Sequence, residues 1–168
     1  MRENIYQLEE LRTAIATAPE KWRPLIFTNG CFDLLHAGHV RYLKVAKGLG
    51  KSLVVGLNSD CSVAQIKPQQ PGFPPRPLIG QSERAEVLAC LKPVDGVVIF
   101  DTTTAINLIE TLQPEIYVKG GDYSISSLPE ASAVQAYGGK IELVQVEIPT
   151  STTAIVKSIL LASKIKRY

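Results

Sequence analysis

Cysteine is scarce in this 168-residue chain: there are three, Cys31, Cys61 and Cys90. The number is odd, and the spacing matches neither CxxC nor a Cys/His metal cluster, which excludes a zinc cage built from neighbouring thiols. Long apolar runs are missing too. None approaches the ~20 residues that a membrane-spanning helix needs, so no bilayer is expected as a partner. The opening Met1-Arg2-Glu3-Asn4-Ile5-Tyr6 includes an acid and lacks the apolar core of a signal peptide, which makes a cytoplasmic location the expectation. Neither sign of charge is in excess. Lys and Arg number 18 against 16 Asp and Glu, a net charge of +2, too little to draw nucleic acid or an anionic membrane surface.

What is present is an ordinary globular composition, 45% hydrophobic and 20% charged. The length fits one domain with a sizeable core. We expect a single domain over 1–168, with an N-terminal helix at about 5–18 and a catalytic core at about 24–165. There is no internal repeat, low-complexity tract or second domain.

The pattern along the chain alternates. Ile5, Leu8, Leu11 and Ile15 recur at helical spacing. A connector with Pro19 and Pro24 leads to a strand near 25–28, a helix from about Ala37 to Leu49, and the strand run Ser52–Leu57. Further on, a helix near 81–91 precedes strand Val97–Phe100, a helix near 103–112 precedes Glu115–Val118, and a helix near 129–137 precedes Ile141–Val146. A last helix follows Ser151-Thr152-Thr153 and runs to about Ile165. Near-continuous apolar strands alternating with helices predict an α/β fold: a doubly wound sheet of about five parallel strands, covered by helices on both faces. Ligands in such sheets sit outside the carboxyl ends of the strands, where the strand order reverses.

Lys67–Gly80 interrupts the alternation. With Pro68, Pro71, Pro74, Pro75, Pro77, Gly72 and Gly80 it cannot be regular structure. It also carries Lys67 and Arg76. Long loops of this kind are usually functional, and we read it as a lid over a nucleotide, with a plain surface excursion as the other reading.

The stretch Thr28-Asn29-Gly30-Cys31-Phe32-Asp33-Leu34-Leu35-His36-Ala37-Gly38-His39 joins a strand end, a glycine turn and a helix start. Residues three apart share a helix face, so His36 and His39 can address one ligand. The free N–H groups and partial positive charge of a helix N-terminus favour a phosphate, and Gly38 leaves the backbone open to close approach. Asn29, Gly30, Cys31, Phe32 and Gly38 are the nucleotide-binding candidates here. Cys31 is read as a small residue filling a tight turn rather than a nucleophile. Lys44, in the same helix, is a catalytic candidate and equally an exposed helical lysine.

The pattern Gly-x-Phe-Asp-x-x-His-x-Gly-His resembles the signature of the cytidylyltransferase-like nucleotidyltransferases, Rossmann-like enzymes that transfer NMP from NTP to a phosphorylated acceptor. The resemblance makes Ser151-Thr152-Thr153 a second signature, a cradle for β- and γ-phosphates at a helix start, where Ser or Thr is also an expected N-cap. It likewise makes Lys67 and Arg84 phosphate contacts. Arg84 sits near a helix start, where the dipole disfavours a cation, and that favours a functional reason for it. Together with Asn58-Ser59-Asp60, Arg76-Pro77 and Val118-Lys119-Gly120-Gly121-Asp122-Tyr123, the chain resembles the adenylyltransferase half of bifunctional bacterial ADP-heptose synthases. That resemblance runs from about Leu8 to Ile165. It implies AMP transfer from ATP to D-glycero-β-D-manno-heptose 1-phosphate, giving ADP-heptose and pyrophosphate. It also places Lys119, Gly120, Gly121 and Asp122 against the nucleotide.

Such a transfer is an in-line attack by a phosphate oxygen on the α-phosphorus. The acceptor is already a nucleophile, so the protein must position the reactants and stabilise charge on the equatorial and leaving oxygens. Mg²⁺ is expected to come with the ATP, held mainly by its phosphates. Asp33 is a candidate ligand for it or a buried turn residue bonded to backbone amides. A cytidylyltransferase acting on glycerol 3-phosphate or another polyol or sugar phosphate is the alternative. In that branch an arginine stands shortly before the Ser-Thr, and Val146–Thr150 has none. A non-catalytic nucleotide-binding module is a further reading. The kinase half of the bifunctional family is absent from this sequence, so a stand-alone transferase or one module of a split pathway is expected. A symmetric homodimer is expected as well.

Overall fold

The structure is a computed structural model that describes residues 4–121, 124–145 and 150–165. Six strands, β1 (Ile5–Tyr6), β2 (Leu25–Gly30), β3 (Ser52–Asn58), β4 (Gly96–Phe100), β5 (Ile116–Gly120) and β6 (Lys140–Val144), form one sheet in the order β1-β4-β3-β2-β5-β6. Every pairing is parallel. The chain steps one way from β2 through β3 to β4, then returns to lay β5 on the other side of β2. The order therefore reverses between β2 and β5, and the carboxyl ends at Gly30 and Gly120 frame the crevice that such a reversal opens.

The helices are α1 (Leu8–Thr17), α2 (Pro19–Trp22), α3 (Ala37–Lys47), α4 (Asp60–Ile66), α5 (Gln81–Ala89), α6 (Ile106–Leu112), α7 (Ala131–Ala136) and α8 (Thr152–Ile165). They cover both faces, as the apolar strands require. On one face Leu11 and Ile15 of α1, Leu108 and Ile109 of α6, and Val134 of α7 pack on the sheet. On the other, Leu43 of α3 and Leu88 of α5 pack on Ile26, Leu53 and Val55. All seven residues of β3 are buried. Each Leu or Ile so placed contributes roughly 1.5–3 kcal/mol.

Several elements differ from the sequence reading, among them a short helix, α2, where a connector was expected. A sixth strand joins the expected five, because Ile5 and Tyr6 pair with Val97 and Val98 instead of opening the first helix. The helix starts later because Gln7 is its N-cap, its amide bonded to the Glu10 carboxylate at 3.0 Å. The apolar period extends through Ile5, but the cap breaks it. Helix α4 was not expected; Ser59 caps it, accepting from the Ser62 amide at 3.3 Å. Of the expected strand Ile141–Val146, the last residue lies outside the described residues. The Pro-rich segment carries no helix or strand from Pro68 to Gly80, as expected.

Candidate active site

The site is built outward from the end of β2. Phe32 follows with φ of 43°, a left-handed backbone that a bulky residue adopts only when its surroundings hold it there. Its ring turns back over Gly30, where an added Cβ would lie 3.1 Å from the ring. The same ring lies 5.4 Å from that of His39.

His36 is the N-cap of α3. Its Nδ1 accepts from the Gly38 amide at 3.1 Å, and its own amide donates to Nδ1 of His39 at 3.4 Å. The two imidazole rings stand 4.1 Å apart. A neutral imidazole that accepts at Nδ1 carries its proton on Nε2. Both histidines therefore keep an Nε2–H for a ligand, and neither Nε2 is bonded among the described residues. Burial, and secondly the neighbouring His36, lower the pKa of His39 to about 4. Burial lowers that of His36 as well. At neutral pH the pair acts as two uncharged, aligned donors rather than as cations.

The crevice floor is tied across the strand reversal. Tyr42 of α3 donates to the Val118 carbonyl at 2.9 Å, so its 2.7 Å contact with Thr28 has the threonine as donor. Burial pushes the Tyr42 phenol well above its usual range. Gly120 is required by this ring, because a Cβ there would meet Tyr42 at 2.8 Å. Asn29 accepts at Oδ1 from the Tyr117 hydroxyl at 2.8 Å and from Lys119 Nζ at 3.0 Å. Burial lowers the Lys119 pKa. Gly121 takes φ of 108°, open to glycine. Asn29, Lys119, Gly120 and Gly121 thus meet at the mouth of the crevice. Asp122 lies outside the described residues, as do Tyr123 and Val146–Pro149.

The last helix reaches the same place. Ser151 caps it, accepting from the Ala154 amide at 3.1 Å, and Thr152 donates to the Leu34 carbonyl at 3.4 Å. The two expected signatures, 118 positions apart at that bond, are therefore in contact. Thr153 lines a cleft with Lys67 and Arg76.

Two catalytic candidates fall outside this cluster. The Arg84 side chain is 1% exposed. Its guanidinium is spent on the carbonyls of Ile79 (2.8 Å), Cys31 (2.6 Å) and Asn58 (2.9 Å) and on Asp60 (2.7 Å). It is a strut that joins the ends of β2 and β3 to α4 and α5, and Asp60 offsets the dipole penalty. Lys44 is exposed on α3 and sits about 140° around the helix from His39 at 100° per residue. The direction of the α3 dipole favours it there without a ligand.

Asp33 resolves as the turn residue. Its side chain is fully buried, paired with Arg76 and accepting from the amides of Leu78 (2.8 Å) and Ile79 (3.0 Å). Cys31 is half-buried, and burial raises its thiol pKa despite Lys67, Arg84 and Arg76 nearby, so it is no activated nucleophile. The sequence reading passed over Tyr42 and the clamp on Arg76. Tyr42 was detectable three residues past His39, on the same helix face; the clamp left no local signal. Among the described residues no three His, Cys, Asp or Glu gather as a metal cage. No described helix is long and apolar enough to cross a membrane.

Residues 27–167 match the family model described as cytidylyltransferase-like. The bifunctional protein HldE of Geobacter sulfurreducens is 48% identical over 158 residues, which cover 94% of this chain and 31% of that protein. Its counterpart in Citrifermentans bemidjiense is 49% identical over 156 residues, 93% of this chain and 31% of the other. The chain spans about a third of the length of these curated relatives. Among solved structures, a lipopolysaccharide core biosynthesis protein from Thermoplasma volcanium superposes with a TM-score of 0.58 at 26% identity, covering 74% of this chain and 97% of that one. Pantoate-β-alanine ligase from Francisella tularensis, complexed with β,γ ATP and β-alanine, superposes with a TM-score of 0.55 at 14% identity, over 99% and 80% of the two chains. That second likeness is one of fold.

Proposed function

This chain belongs to the cytidylyltransferase-like family, and we propose that it transfers AMP from ATP to a sugar 1-phosphate. The acceptor is D-glycero-β-D-manno-heptose 1-phosphate, and the products are ADP-heptose and pyrophosphate. The observation that carries the reading is the histidine pair at the start of α3. Each Nδ1 accepts from a backbone amide, so each ring is uncharged with its proton on Nε2, which has no partner among the described residues. High identity to HldE proteins over nearly the whole chain supports the choice of nucleotide and acceptor.

In this mechanism an oxygen of the sugar phosphate attacks the α-phosphorus of ATP. The new O–P bond forms as the bond to the β-phosphate oxygen breaks, and pyrophosphate leaves with the electron pair. The attacking phosphate is already anionic, so no base is needed. His36 and His39 donate to phosphate oxygens on which charge builds, and the N-terminus of α3 adds its dipole. Ser151, Thr152 and Thr153 at the head of α8 take the β- and γ-phosphates, with Lys67 beside them. Asn29, Lys119, Gly120 and Gly121 bind the nucleoside, with Asp122 assigned to the same group.

Mg²⁺ enters as Mg·ATP. The described residues offer no protein cage for it, and Asp33 is already taken by Arg76 and two amides. In this reading the ion would be held mainly by the phosphates of ATP. A homodimer belongs to the same proposal; exposed Ile159 and Leu161 on α8 are apolar surface that a second copy would cover.

The test is pyrophosphate release with Mg²⁺, crossing ATP, CTP and GTP with heptose 1-phosphate and glycerol 3-phosphate. Turnover confined to ATP and the heptose phosphate supports the reading. Turnover confined to CTP and glycerol 3-phosphate keeps the mechanism and overturns the substrate pair.

A further inference from the structure

A cleft of about 270 Å³ lies between the Pro-rich loop and the head of α8. Its lining is mixed in a specific way. Lys67, Arg76 and Thr153 bring two cations and a hydroxyl, while Phe73, Pro74 and Val156 bring apolar surface. The loop that carries Phe73 is held at both ends. Lys67 closes α4, its amide bonded to the Val63 carbonyl at 2.8 Å, and Asp33 clamps Arg76, Leu78 and Ile79. Between these anchors the Phe73 amide bonds the Gln70 carbonyl at 3.0 Å, and Gly72 takes φ of 80°. That turn presents Phe73, half-buried, to the cleft.

Among the described residues Arg76 is bonded only through Nε, to Asp33, which leaves its two terminal nitrogens for an anion. A ligand suited to this cleft therefore carries a phosphate and, joined to it, a carbon skeleton with an apolar C–H face. Strand order separates this place from the nucleoside. The loop leaves the sheet after β3, on one side of β2, whereas Lys119 and Gly120 end β5 on the other.

We propose that Phe73 is a specificity-determining residue for the acceptor. Its ring packs on the C–H face of the sugar, whose phosphate takes the terminal nitrogens of Arg76, while Lys67 and Thr153 on the same cleft face the phosphates of ATP. The proposal rests on the reading of this chain as a sugar-phosphate adenylyltransferase.

The test is steady-state pyrophosphate release with Mg·ATP and heptose 1-phosphate, varying each substrate in turn. Phe73→Ala raises the KM for the sugar phosphate about tenfold, the loss expected when one aromatic face is withdrawn from a ligand. The KM for ATP stays at the wild-type value, and Phe73→Tyr restores the acceptor KM. An unchanged acceptor KM in Phe73→Ala overturns the inference while leaving the adenylyltransferase reading intact. A raised KM for ATP instead overturns it as well, because the ring would then face the nucleotide. A wild-type protein that releases no pyrophosphate with any sugar or polyol phosphate removes the reading and this inference with it.

Discussion

His36 gives its backbone amide to Nδ1 of His39 at 3.4 Å, so the first histidine of the pair sets the tautomer of the second. The Gly38 amide does the same for His36. The helix start thereby satisfies two of its own orphan donors and leaves both Nε2–H groups for a phosphate. In the proposed mechanism capping uses Nδ1 of each ring and the phosphate takes Nε2.

Replacing either histidine with alanine removes one such donor. In pyrophosphate-release assays His36→Ala and His39→Ala are each expected to lose roughly 100- to 1000-fold in kcat, the scale of a lost oxyanion donor. The double variant should lose less than the product of the two, because the rings position each other. Single variants within threefold of wild type would remove the pair from the mechanism.

The pair also makes a pH prediction. An unfolded histidine takes up its proton near pH 6.5, whereas His39 in the folded chain stays neutral down to about 4. Between these values the unfolded state binds more protons, so stability falls as pH drops from 6.5 towards 4. Above 6.5 His39 contributes no pH dependence. Imidazole NMR titration of the free protein should give a midpoint near 4 for His39 and one below 6.5 for His36. A midpoint for His39 at or above 6.5 contradicts the buried, Nε2-protonated assignment.

The sheet was legible because parallel strands buried on both faces read as unbroken apolar runs, and β3 is buried at every position. The two signatures were legible because their chemistry depends on neighbours in sequence. What escaped depends on partners far along the chain. Ile5 and Tyr6 become a strand only beside Val97 and Val98. Arg84 looks like a free cation at a helix start until the carbonyls of Cys31 and Asn58, 53 and 26 positions away, converge on it. The Pro-rich loop looks like an unattached lid until Asp33 is seen to hold its far half, 45 positions away at Leu78.

Arg84 is expected to act on stability before it acts on rate. Arg84→Met leaves three carbonyls without their donor, that of buried Asn58 among them, and a buried one costs about 1–3 kcal/mol when orphaned. Urea unfolding should show a loss of several kcal/mol for Arg84→Met. Arg84→Lys can restore only part of that, because an ammonium lacks the planar fork. If Arg84→Lys kept wild-type stability while the KM for ATP rose 100-fold, Arg84 would return to the phosphate site.

Asp33 offers the sharpest separation of loop from catalytic pair. In Asp33→Asn the side-chain oxygen can still accept from the Leu78 and Ile79 amides, but the charge that holds Arg76 is gone. A half-buried arginine that loses its counter-charge costs more than the isosteric change itself suggests. Arg76 is therefore expected to release, and the segment from Pro68 to Arg76 should exchange its amide hydrogens faster. Limited proteolysis should cut there first. The histidine geometry draws nothing from Asp33, since His36 and His39 are bonded to each other and to Gly38. The imidazole titration should accordingly stay at its wild-type midpoints while the loop loosens. If loop exchange stays at the wild-type rate, the clamp is not what orders the loop, and the paired backbone amides alone suffice.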